Sequence, residues 1–86
     1  MLESNSAINV PRMEEAIAML RQYLDAQALA PVLDIMHELT KNPEDGALLN
    51  RLFVTVEGMG IMQGAMLTYA PYIAILMSEH QFQEPD

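Results

Sequence analysis

Apolar residues recur along this 86-residue chain at steps of three and four, the spacing that aligns side chains on one face of an α-helix. Met13, Ile17, Leu20, Leu24 and Ala28 form the first such stripe and predict a helix over about residues 10 to 29. Asn9 stands where a side-chain oxygen can accept from the first amides, and Pro11 falls in the first turn, where its missing N–H is no loss. Glu14 and Glu15 lie near the positive end of the helix dipole. Pro31 ends this helix, because the residue before a proline is pushed out of the helical region, and it can open the next one from its own first turn. In that second helix, running to about Lys41, Val32, Ile35, Met36 and Leu39 share a face while Asp34, Glu38 and Lys41 point elsewhere.

Asn42-Pro43-Glu44-Asp45 predicts the start of a third helix: an Asn cap, a proline at the first helical position, then two carboxylates in the first turn. Leu48, Leu49, Leu52, Phe53 and Val56 carry it to about Glu57, with Asn50 and Arg51 turned away. Gly58 and Gly60 flank Met59 and mark a hinge or break. Ile61, Met62, Ala65, Met66 and Tyr69 then resume helical spacing until Pro71, which removes one backbone hydrogen bond and clashes with the carbonyl four residues back. Tyr72, Ile73, Ile75, Leu76 and Met77 continue the pattern to Ser78-Glu79-His80. The expectation is an all-α fold, a small bundle of four to five short helices with the last one kinked or split at Pro71. One helical domain spans 1-86, with 1-8 and 81-86 frayed.

Composition sharpens this picture in three ways. With 51% apolar and 19% charged residues the chain can build a core, and without cysteine that core has no disulfide to supplement it. Helix packing or self-association must supply the stability. The formal net charge of -8 repels phosphate backbones, so nucleic acid is not an expected partner. The carboxylates fall in ones and twos, which is the pattern of solvated helix faces rather than of a phosphate mimic. Met1 to Ser6 lack the basic and apolar regions of a signal peptide, and a cytoplasmic protein is expected.

From Gly58 to Ser78 no residue is charged, a length close to that of a membrane-spanning helix. Gln63, Thr68 and Pro71 lower its hydropathy, and acidic flanks at Glu57 and Glu79 oppose insertion. A helix buried on most sides is therefore the preferred reading, and a small membrane-associated protein inserting residues 59-77 is the alternative. The rest of so small a chain cannot surround that helix, so part of it is expected to face another molecule, first of all a second copy. Gly60 and Gly64 form a G-x-x-x-G pair that favours close helix approach. Eight methionines add side chains that repack easily around partners. The expected partner-binding surface is Gly60, Met62, Gly64, Met66, Tyr69 and Ile73, with Leu49 and Phe53 as core or rim.

Catalytic chemistry has little to stand on. The chain lacks cysteine, a G-x-S-x-G turn and a glycine-rich phosphate loop. Asp34, His37 and Glu38 share a helix face at metal-ligand spacing but make only half of a helical di-metal site, and they read better as solvated polar residues. His80 beside Glu79 reads as a surface pair. Neither a metal nor a cofactor is expected, and the chain is not expected to be an enzyme. The sequence points to a non-catalytic protein-protein interaction module, a regulator, inhibitor or scaffold subunit that works through apolar Met-rich helix faces as a homodimer.

Overall fold

A computed structural model describes residues 8–81, with side chains through residue 79. Five α-helices follow one another: α1 (Val10–Tyr23), α2 (Ala30–Lys41), α3 (Gly46–Glu57), α4 (Ile61–Tyr69) and α5 (Pro71–Gln81). No strand occurs among the described residues. α1 is the hub. It packs against α2 on one side and against α4 and α5 on the other, while α3 covers α2.

The first helix begins as its sequence dictates. The Asn9 side-chain oxygen accepts from the Arg12 N–H at 3.1 Å, and Pro11 sits in the first turn. Its end lies earlier than residue 29. After Leu24, whose N–H still bonds to the Leu20 carbonyl, the Asp25 carboxylate accepts from the Gln27 N–H at 3.0 Å. That local bond holds the backbone in a turn over residues 26–29 and diverts it from the helix. Ala28, expected on the buried stripe, is exposed in consequence, and Leu29 is buried in its place.

The third helix also starts elsewhere than expected. Asn42 closes α2: its backbone N–H and its side-chain amide both donate to the Glu38 carbonyl, at 2.9 and 3.2 Å. The cap of α3 is Asp45, whose carboxylate accepts from Ala47 and Leu48 N–H groups at 3.0 and 3.1 Å. An ionised oxygen competes better than a neutral amide for two orphan donors, and this moves the start to Gly46. Pro43 is left in the corner, where its carbonyl accepts from the Ile8 N–H at 3.0 Å. Ile8, expected in the frayed end, is thereby buried; residues 1–7 and 82–86 lie outside the described residues.

Two breaks define α4. Gly58 caps α3, and Gly60 adopts φ +64° and ψ -127°, a conformation that a residue with a Cβ rarely takes. The helix therefore starts afresh at Ile61. Gly60 lies outside it, so the two glycines do not form the continuous helical G-x-x-x-G face that their spacing suggests. At the other end Ala70 leaves the helix at φ -130°, as the residue before a proline must, and α5 departs at 104° to α4. The last helix is thus split at Pro71, the stronger of the two outcomes expected there.

The core gathers one face from every helix except α4. α1 contributes Met13, Ala16, Ile17 and Leu20; α2 contributes Val32, Leu33, Ile35, Met36 and Leu39. Leu49, Leu52, Phe53 and Val56 come from α3, and Tyr72, Ile73, Leu76 and Met77 from α5. Each large side chain among them stabilises the fold by roughly 1.5 to 3 kcal/mol of hydrophobic transfer. α4 gives only Met66, and no polar or charged side chain is buried among the described residues.

Candidate functional site

The 104° turn between α4 and α5 leaves a groove against α1. Arg12, Glu15, Ala16 and Met19 form one wall, spaced by three and four residues along a single helix face. The opposite wall is the elbow itself, Tyr69 to Tyr72, with Pro71 at its apex. The groove has a volume of about 270 Å³.

Both ends of the groove are held by ring contacts. At one end the Arg12 guanidinium lies 5.0 Å from the centre of the Tyr72 ring, a cation–π distance. The same tyrosine accepts the Asn9 N–H on its hydroxyl oxygen at 2.7 Å, which ties the start of α1 to the start of α5 across 63 residues. At the other end Tyr23 and Tyr69 stack with ring centres 5.0 Å apart and planes 11° from parallel. Tyr23 is 52% exposed and Tyr69 36%, so this pair is a surface feature bridging α1 and α4. The half-buried Met19 lies between the two ends and adds a flexible, polarisable side chain to the wall.

The residues expected to bind a partner are distributed over two environments. Met66 and Ile73 are fully buried and belong to the core, which takes them out of reach of any partner of the folded chain. Leu49 and Phe53 are buried as well. Gly60 and Gly64 are exposed, Met62 is half-buried, and Tyr69 lines the groove. Arg12, Glu15, Met19, Pro71 and Tyr72 escaped sequence reasoning, because only the neighbouring stripe of α1 repeats as an apolar pattern. For Arg12 and Met19 alone a sequence signal could have served, the Arg12, Ala16, Met19, Tyr23 row that runs beside the core stripe and ends on an exposed aromatic residue.

Asp34, His37 and Glu38 are exposed on α2, and no group of three or more His, Cys, Asp or Glu side chains among the described residues is arranged to hold a metal. His80's side chain lies outside the described set. A shallower depression at the α2–α3 corner is bounded only by the consecutive residues Asn42 to Asp45. Among the described residues no single helix is long and apolar enough to cross a membrane; α4 and the Pro71–Glu79 part of α5 reach that composition only together, across their 104° bend. No protein-family model, characterised protein or solved structure matches the chain.

Proposed function

We propose that this chain is a non-catalytic protein-interaction module, a regulator, inhibitor or scaffold subunit that holds a partner protein by taking one of its apolar side chains into the groove between α1 and the α4–α5 elbow. The observation that carries this reading is the groove's make-up: two tyrosines, a proline, two alanines and a methionine around about 270 Å³, with one cation and one carboxylate in the α1 wall. That volume falls just below the range of roughly 300 to 1,000 Å³ usual for cofactor and small-molecule sites, and it suits a single large side chain. Tyrosine and arginine are also the residue types that dominate binding energy at protein interfaces. The expected cytoplasmic setting belongs to the same proposal.

Site-specific photo-crosslinking in the native host tests it. A benzophenone amino acid replacing Tyr69 is expected to capture a discrete protein heavier than a second copy of the chain. The adduct should disappear in Met19→Glu, which places a charge in the groove at a half-buried position. The same probe at the exposed Asp34 on α2 should capture nothing. Capture from position 34 alone, or adducts with lipid from position 69, would overturn the assignment, the latter in favour of membrane association.

A further inference from the structure

α4 has a second face, turned away from the core and from the groove. Ile61, Gly64, Ala65 and Thr68 share it, at positions i, i+3, i+4 and i+7. Ile61 is 96% exposed, the most exposed large apolar side chain among the described residues. A Cβ built on Gly64 meets no atom within 4 Å, so at this point the bare helix backbone faces outward. The only hydroxyl on the face already has a partner, since Thr68 Oγ1 donates to the Gly64 carbonyl at 2.9 Å. The face therefore has apolar surface to bury and no side-chain polar group that would lose a hydrogen bond to water on burial.

Charge decides what fits it. The chain carries a net charge of -8, so two copies repel wherever their acidic faces meet. α4 bears no charge, and neither does any residue from Gly58 to Ser78. Two copies can thus approach along α4 with the least repulsion, whereas a basic partner would be drawn to the acidic helices instead. We propose that the outward face of α4 is the site where a second copy of this chain docks, the two α4 helices crossing at Gly64 about a twofold axis. A twofold contact uses the same patch on both copies, and a glycine at the crossing lets the backbones close to within packing distance. Ile61 then lies against the second copy's small residues beyond the crossing. A single nine-residue helix face is less than the roughly 800 Å² per partner of a standard interface, so the dimer should be weak and its population should rise with concentration. Neither Ile61 nor Gly64 lines the groove, so this inference stands or falls separately from the proposed function.

Light scattering on the full chain, detergent-free, from about 5 to 500 µM tests it. A mass rising to twice that of the chain is expected, with Ile61→Asp and Gly64→Leu each weakening the dimer at least tenfold. Both sites are open to solvent, so at the low end of that range, where the parent too is monomeric, circular dichroism should show unchanged helicity and melting no lower than the parent's. Because the chain has no cysteine, Gly64→Cys gives a single thiol that the twofold axis sets beside its own equivalent, and it should oxidise to a linked dimer much faster than Asp34→Cys. A monomer throughout the concentration range, a dimer indifferent to Ile61→Asp, or equal oxidation of the two cysteine variants would overturn the inference. Binding of the monomer to neutral phosphatidylcholine vesicles through Ile61 would overturn it in favour of a lipid surface.

Discussion

α2 and α4 differ in how composition relates to burial. α2 holds four residues that are charged or can become so, Asp34, His37, Glu38 and Lys41, yet buries five side chains. α4 holds no charge at all and buries one. The polar residues of α2 mark out which face is free, so all its large apolar side chains can point inward. α4 has no charged residue on any side to mark its outer face, and although it packs against α1 and α5, Ile61 is left in solvent. An uncharged segment is therefore no guide to depth in the fold; contrast between faces is.

Substitutions can break that comparison, beginning with the hub that both regions share. Leu20 is fully buried on α1, and Leu20→Asp places an unpaired charge in the core; a loss of about 4 kcal/mol or more is expected, visible as an unfolded far-ultraviolet spectrum at 25 °C. A folded Leu20→Asp protein would show that α1 is not the hub. Met66→Ala removes the one wholly buried side chain of α4 and should cost about 2 to 4 kcal/mol in denaturant titration. Hydrogen exchange on that variant should show α4 amides opening ahead of those in α2 and α3, because the arm has no other deep anchor.

Smaller effects sharpen the same contrast. Gly60→Ala forces a Cβ into φ +64° and should destabilise by about 1 to 2 kcal/mol through the α3–α4 break. Asp45→Ala should cost about 1 kcal/mol by uncapping α3; a larger loss from Pro43→Ala would mean that the start of α3 lies where the Asn-Pro signal puts it. At concentrations where the chain is monomeric, Gly64→Ala is expected to stabilise it by about 0.5 to 1 kcal/mol, since helix propensity improves and nothing in the same chain is within reach of the added methyl. A destabilised Gly64→Ala monomer would mean that the outer face of α4 packs against another part of the same chain.

The sequence made the helices legible and left their ends ambiguous. Pro71 acted as expected because proline's effect on the preceding residue is local and needs no partner. Pro31 opens α2 from its first turn as expected, but it does not end α1, which stops at Tyr23, and Ala30 before it is already helical. The end of α1 was misplaced because the step-of-four pattern runs on to Ala28, while the outcome depends on Asp25 capturing an amide two residues along. At the third helix Asn42 and Asp45 offered competing caps, and the choice rests on which of them α2 needs for its own closure. The groove was beyond local reasoning altogether. It exists because Arg12 meets Tyr72 and Tyr23 meets Tyr69, contacts that depend on the 104° angle of the elbow. Tyr69 was named for the partner surface only because its segment is uncharged, and Met66 and Ile73, named on the same ground, turned inward.

The short stretch before α1 has a kinetic consequence. Ile8 bonds to Pro43 and Asn9 to Tyr72, so two adjacent residues wait on parts of the chain made much later. During synthesis α1 can coil as soon as it clears the ribosome, but its entrance cannot be latched until the elbow has emerged. Closing so long a loop carries a large entropic penalty, and contacts of this span form late in folding. The latch should therefore act on departure rather than arrival: Tyr72→Phe is expected to quicken unfolding while leaving the refolding rate almost unchanged.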